Sequence, residues 1–536
     1  MILMVRVVAA SGAPGECNKE ILQHGETTMA KAKDKNIPQT SDQDDVSGFE
    51  NDLWAHGFAD NDWISLIGDD PKKMPLSTKA ICFHNCDAKR RAVRVNDARI
   101  YAYLTNTQHI ITCGGVAYIY RNGYYNEDLD GTILQSMISD CILEDFDTST
   151  TVSRVHKKFF QKKELVRYLE DMNAYSPWYI NFQNGMYDVK RQVMFSHSPK
   201  TLSINQIPHV YDPKAHYSGN EIEKFLRFSI PDEDDRRMLL EYIGLCMTTD
   251  TSQQKMLVIQ GEGGTGKSTL INLIQDVVGK RNISNVSLTE LQQRFKPILM
   301  MGKLLNTCAD LEIDALDDVS MVKKLIGEDN IDGEHKGLKP VSFRNYAKLL
   351  FSTNELPLVR NEKTKGFFRR LLVLAMNKEP ETQDKNLKEK LRNEIPYLIH
   401  ISIEALRDMY MREGASITVS ENSKAATRQL RLDSDSVEAF LSERCKLTND
   451  SNDKMSRNDV YEEYKDYCEQ EERQAHSKNN LFKALRNKKV WEFRSSKDRY
   501  FIGIRIRNEN DDDVDEKGFI KIPENVEDLG VPSEWN

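Results

Sequence analysis

Apolar residues in the middle of this chain fall into short continuous runs with amphipathic stretches between them. Met256-Leu257-Val258-Ile259-Gln260, Lys303 to Ala309, Ala347 to Thr353 and Leu371 to Ala375 read as strands. Strands and helices alternate in this core to about residue 377. Residues 221–247 and 386–411 read as helical, and 428–435 as a polar connector. From about 50 to 210 the pattern is mixed α+β. Val116 to Tyr120 and Gly123 to Tyr125 flank an Arg121-Asn122 turn, and Trp178 to Phe182 meets Gly185 to Val189 at Asn184-Gly185, a strong hairpin signal. Ile133 to Leu143 and Lys163 to Met172 read as helices. Near the C-terminus, helices at 437–444, 457–470 and 479–487 precede strands at 490–494 and 500–507. Three helices and a terminal hairpin make a winged-helix pattern.

These patterns divide the chain into a disordered segment (1–45), an α+β domain (46–210), an α/β core (211–420), a winged-helix domain (430–507) and an acidic tail (508–536). Met29 stands as an alternative start to Met1. No apolar run approaches the ~18–20 residues of a membrane span, and Arg6 interrupts the opening apolar stretch, which makes a poor signal peptide. Nine cysteines at irregular spacing point to reduced thiols in a cytoplasm. Cys82-Phe83-His84-Asn85-Cys86 has no second ligand pair at finger spacing, which argues against zinc.

The net charge of −9 hides a polarity. Residues 476–507 hold ten Lys/Arg against Glu492 and Asp498, a net +8, and residues 508–536 hold ten Asp/Glu against Lys517 and Lys521, a net −8. The basic side chains Lys483, Arg486, Lys488, Lys489, Arg494, Lys497 and Arg499 are candidate DNA contacts. The tail reads as a solvating segment, a competitor of DNA or a dock for basic replication proteins.

The chemistry begins at Gly261-Glu262-Gly263-Gly264-Thr265-Gly266-Lys267-Ser268-Thr269, which fits G-x-x-x-x-G-K-S/T between a strand and a helix start. Glycines let backbone N–H groups curl around phosphate oxygens, Lys267 reaches the β- and γ-phosphates, and the Ser268 hydroxyl ligates Mg²⁺. The strand at 303–309 ends in Asp310-Leu311-Glu312, whose carboxylates share one face of an extended segment. One suits the Mg²⁺ shell and the other the attacking water. Asn354, after the strand at 347–353, offers a neutral amide to orient water. Arg369-Arg370 opens the next strand and suits an arginine finger reaching a neighbouring subunit's ATP. Between them, Met321 to Phe343 reads as a helix and a hairpin with His335, Lys336 and Lys339 at its tip, cationic groups that suit phosphates in a pore.

Taken in order, Gly261–Thr269, Asp310/Glu312, the Lys323–Phe343 segment, Leu350–Asn354 and Phe368–Arg370 resemble superfamily 3 helicases, most of all the phage/plasmid primase-helicase branch related to the poxvirus primase-helicase. The resemblance implies an AAA+-like α/β core that assembles as a hexamer around DNA and moves 3′→5′, with ATP and Mg²⁺ as cofactors. It makes Lys267 and Ser268 the Walker A residues, Asp310 with Glu312 Walker B, Asn354 the polar sensor, Arg369/Arg370 the finger, and Lys336 with His335 the pore hairpin. The division of labour between Asp310 and Glu312 stays open, because many relatives carry Glu where Asp310 stands. The expected function is an ATP-dependent replicative DNA helicase of a phage, plasmid or mobile element, acting on single-stranded and forked DNA in a bacterial cytoplasm. The alternatives are a bifunctional primase-helicase and an ATP-switched origin-binding factor without motor activity. The first lacks a paired-carboxylate or zinc primase motif before residue 210.

Overall fold

The computed structural model describes residues 63–64, 68, 70–308, 319–334, 336, 340–359, 365–448, 450, 452–471, 473–487, 490–494 and 498–508. The readings on residues 1–45, the tail from 509, Asp310, Glu312, His335, Lys339, Lys488, Lys489 and Lys497 lie outside the described residues.

Among the described residues, one compact unit comprises those up to Thr107 together with 137–155, and the other comprises 108–136 together with those from His156 onward. In the first, helix α1 (Leu76–Phe83) runs into the antiparallel pair β1 (His84–Cys86) and β2 (Ala92–Val95), followed by α2 (Asp97–Thr107). Phe83 and Tyr103 meet edge to face at 5.0 Å in its core. His84 is spent here: Nδ1 bonds Lys79 O and Nε2 accepts from Leu143 N, both at 3.4 Å. Burial holds its pKa below the usual histidine range. Helices α3 (Thr132–Cys141) and α4 (Ser149–Phe160) follow in the chain.

The second unit contains two small meanders, β3–β5 (Ile110–Cys113, Val116–Arg121, Tyr124–Asp128) and β6–β8 (Tyr179–Phe182, Gly185–Asp188, Val193–Phe195). The first hairpin turns one residue later than its sequence suggests, on Asn122-Gly123, where φ values of 56° and 91° suit Asn and Gly. The segment expected to be helical at Lys163–Met172 forms only two 3₁₀ turns, Lys163–Leu165 and Leu169–Asp171. Between them the chain is drawn out along β3: Val166 bridges Thr112, and Arg167 N donates to Thr112 O at 2.8 Å. Backbone groups used on a sheet edge are lost to a helix.

Two helices, α5 (Asn220–Ser229) and α6 (Glu233–Cys246), replace the single helical stretch expected at 221–247. Pro231 has no N–H to continue the first, and Asp232 caps the second by accepting from Asp235 N at 2.9 Å. The central sheet follows: β9 (Met256–Gln260), α7 (Lys267–Val278), β10 (Ile283–Ser284), β11 (Leu305–Cys308), α8 (Ser320–Ile326), the hairpin β12–β13 (Asn330–Gly333, Val341–Arg344), β14 (Lys348–Thr353), α9 (Lys365–Phe368) and β15 (Leu371–Ala375). Its strands are all parallel in the order β10-β11-β14-β9-β15, so the fold is α/β with a parallel sheet.

The continuous apolar strands follow from cover on both faces. Leu257, Ile259, Leu350, Leu372 and Leu374 join a core with Leu239 of α6 and Leu270 and Ile274 of α7. Met256, Val258, Phe351 and Val373 join another with Val322, Phe367 and Leu430. Helices α10 (Leu387–Asn393) and α11 (Ile395–Met411) pack on the first face. The supposed connector at 428–435 is instead the end of α12 (Glu421–Ser434). Ser420 caps it, and Leu430 and Leu432 point inward from a mostly polar sequence. Glu421, Asn422, Lys424 and Gln429 form its solvent side.

One buried charge ties this core. Glu241 of α6, fully inaccessible, accepts from Arg237 Nε at 3.2 Å, Arg412 Nη2 at 2.5 Å, Thr418 N at 2.6 Å and Thr418 Oγ1 at 2.9 Å. Glu241→Ala strands these donors, so we expect a loss of about 3 kcal/mol, below the full range because both arginines are partly exposed. A urea midpoint that is unchanged at constant slope would refute the tie.

The C-terminal part continues with α13 (Ser436–Glu443), β16 (Cys445–Leu447), β17 (Lys454–Ser456), α14 (Arg457–Gln470), α15 (Lys478–Asn487), β18 (Trp491–Arg494), β19 (Arg499–Ile502) and β20 (Ile504–Ile506). The strand expected over 500–507 breaks at Gly503, where φ is 76°. Its first half completes the sheet β17-β19-β18, and its second pairs with β16. Phe440, Tyr464, Leu481, Phe482 and Phe501 form the core of the module.

Candidate nucleotide and DNA sites

The glycine-rich loop leaves β9 at the C-terminal edge of the parallel sheet and enters α7 at Lys267. Gly264 and Gly266 have φ of 85° and 94°, open to glycine at little cost. At Gly261 the reason is a close approach: an added Cβ would sit 2.0 Å from Met376 O, whose own N–H donates to Gln260 O at 2.7 Å. Glu262, Gly263, Gly264 and Ser268 face solvent, while Thr265 is buried and its hydroxyl donates to Glu262 O at 2.9 Å. The rim of the loop is therefore open, and its base is pinned.

Lys267 folds into this loop. Its ammonium donates to Gly261 O, to Glu262 O at 2.8 Å and to Asn354 Oδ1 at 3.0 Å. Asn354 comes from the end of β14, which pairs with β9 so that Thr353 lies beside Gln260. Two side chains separated by 87 positions are thus brought into one contact. Strand β11 lies on the other side of β14, with Cys308 opposite Phe351, and Asp310 is two residues further along the sequence. Glu379 went unnoticed in the sequence. Its carboxylate lies 2.7 Å from where a Cβ on Gly264 would stand, and nothing in the polar stretch after β15 signals this.

Arg369 and Arg370 lie at the other edge. Leu371 is in register with Met256, and Arg370 O accepts from Met256 N at 2.8 Å. Across the five residues of β9, at ~3.3 Å each, this is roughly 15 Å from the start of the glycine loop. The two arginines differ. Arg370 is half-buried and donates to Gly366 O at 2.6 Å, and burial, aided by the Arg369 charge, lowers its pKa. The Arg369 side chain is exposed, with no hydrogen bond or ion pair among the described residues.

The hairpin β12–β13 pairs Asn330 with Arg344 and Gly333 with Val341, with Glu334 and Lys336 between the two strands in sequence. Lys336 is exposed there, and Arg294 holds the adjacent Glu334 through two bonds of 2.9 and 3.1 Å. In the C-terminal module, Lys483 and Arg486 are exposed on α15, and Arg494 of β18 is in register with Arg499 of β19.

Two family profiles match the chain. "D5 N terminal like" covers residues 99–230, and a family of unknown function, DUF5906, covers 259–370. Among curated proteins, the chain is 22% identical over 305 residues to a protein of Acanthamoeba polyphaga mimivirus with a provisional helicase name, L207/L206. It is also 22% identical over 365 residues to the similarly named 121R of Invertebrate iridescent virus 3. These matches take in 48% and 61% of this chain but only 32% and 38% of the relatives, so the chain spans about a third of their length. Among solved structures, the apo C-terminal region of NrS-1 aligns over 75% of this chain and 98% of its own, at 12% identity and a TM-score of 0.47. Among the described residues no helix is long and apolar enough to cross a membrane.

Proposed function

We propose that this chain is the ATP-driven motor of a DNA-replication helicase. The observation that carries this reading is the 3.0 Å contact between Lys267 Nζ and Asn354 Oδ1 beside an open glycine loop. A phosphate-binding cation at the start of α7 and a water-orienting amide just past the end of β14 are two of the groups that phosphoryl transfer to water uses. The provisional helicase names of two viral relatives support the choice of a motor over a kinase.

In this reading the ammonium exchanges its loop carbonyls for phosphate oxygens when ATP binds. Ser268 with Asp310 would hold Mg²⁺, which supplies charge neutralisation, and Glu312 would polarise the attacking water. The subunits form an AAA+-like hexamer and move 3′→5′ on DNA. Lys336, with His335 and Lys339, grips phosphates in the pore, and the C-terminal module acts as a winged helix on the duplex through Lys483, Arg486 and their neighbours.

Strand displacement from a forked duplex with a 3′ tail, in ATP and Mg²⁺, tests the motor. ATP turnover without displacement leaves the switch reading, and no turnover sinks both. Lys336→Ala should reduce displacement at least about tenfold while basal turnover persists, because the side chain lies on the hairpin and not at the glycine loop. Equal loss of both activities would remove the hairpin from the DNA path.

A further inference from the structure

Three guanidinium groups converge on one carboxylate in the C-terminal module. Glu492 on β18 takes a hydrogen bond on Oε2 from Arg486 Nη1 at 3.0 Å. Its Oε1 lies 3.4 Å from Arg457 Nη1 and 3.6 Å from Arg499 Nη1. The arginines come from three separate elements: Arg457 opens α14, Arg486 is in the last turn of α15, and Arg499 starts β19. Arg457 is further fixed by Phe482, whose ring centre is 4.3 Å from its guanidinium carbon.

A carboxylate is too small and too weakly charged for this setting. One negative charge faces three positive ones. Among the described residues Arg486 is the one that hydrogen-bonds to it, and Glu492 Oε1 and Arg457 Nε are buried with no hydrogen-bond partner there. A tetrahedral dianion or a phosphodiester offers more oxygens over a wider span, and guanidinium groups match it in geometry. Arg486 and Arg499 also keep about half their side-chain surface exposed, so a ligand can reach them.

We infer that Arg457, Arg486 and Arg499 form a phosphate site in which Glu492 stands in for the ligand, so that binding of a DNA backbone phosphate displaces its carboxylate. The inference rests on the DNA-binding reading of this module. It adds Arg457 as a contact and makes Glu492 a residue that lowers affinity. The stand-in costs the protein affinity for DNA in general and no sequence preference, since phosphates carry none.

The test measures binding of a fluorescent duplex by the full chain as a function of salt. Glu492→Gln keeps the shape and removes the competing charge. Affinity should rise about tenfold at low salt, and the slope of log affinity against log salt should steepen by about 0.9, one additional phosphate. Adding Arg457→Ala to Glu492→Gln should take back most of both changes. A fall in affinity for Glu492→Gln with an unchanged melting temperature would make Glu492 an organiser of the arginines and overturn the inference. No change would also overturn it. Lys483→Ala separates this failure from a failure of the underlying reading. If Lys483→Ala weakens binding while Glu492→Gln has no effect, the module binds DNA without this site. If the wild-type chain binds no duplex, the DNA reading itself has failed.

Discussion

Lys267→Ala should leave a folded protein whose ATP turnover falls by at least about 10²–10³-fold, the loss typical of removing one preorganised charge partner from a developing anion. The structure shows why the change is local. Among the described residues the ammonium bonds to Gly261 O, Glu262 O and Asn354 Oδ1, all on the loop and its neighbour, while α7 is anchored by Leu270, Ile271 and Ile274 in the core below. The core therefore loses no packing, and the melting temperature should shift by no more than a few degrees. Asn354 loses one donor but remains at the solvent edge, where water replaces it. Turnover is the decisive measurement, with thermal unfolding as its control. Near-normal turnover in a folded variant would remove the phosphates from this loop, and with them the whole reading of the sheet edge.

The glycine loop was legible because its chemistry is local. Consecutive residues make the turn, and β9 and α7 flank it as the motif requires. The strands were legible for a different reason: a sheet covered on both faces leaves runs such as Leu371 to Ala375 without a polar side. The contact between Lys267 and Asn354 could not be read, although both residues were singled out. It depends on β14 lying beside β9, out of chain order, with β10 and β11 displaced outward. Periodicity also failed where tertiary pairing claimed the backbone, as at Val166 beside β3, and where a single buried row sat within a polar stretch, as in α12. The cluster at Glu492 had no sequence signal at all. Its arginines are 35, 6 and 7 positions away on three elements, and only the packing of the module places them together.

The two arginines at the start of β15 should separate into a structural and a functional residue. Arg370 is drawn into the fold by Gly366 O and Gln254, so Arg370→Ala should lower stability as well as any activity. The Arg369 side chain makes no such contact among the described residues, so Arg369→Ala should leave stability unchanged and reduce turnover by about 10³-fold or more, the scale of a lost arginine finger. On the proposed reading the effect acts between subunits, because Arg369 stands at the N-terminal edge of the sheet while its own glycine loop leaves the C-terminal edge. Mixing makes this visible. Arg369→Ala and Lys267→Ala chains should each be inactive alone, whereas in mixed oligomers some interfaces would pair an intact loop with an intact finger. Turnover should reappear and peak near equal amounts of the two variants. Turnover that stays absent at every ratio, with mixed oligomers shown to form, would assign Arg369 to another role, and turnover by monomers at high dilution would exclude a finger in trans altogether.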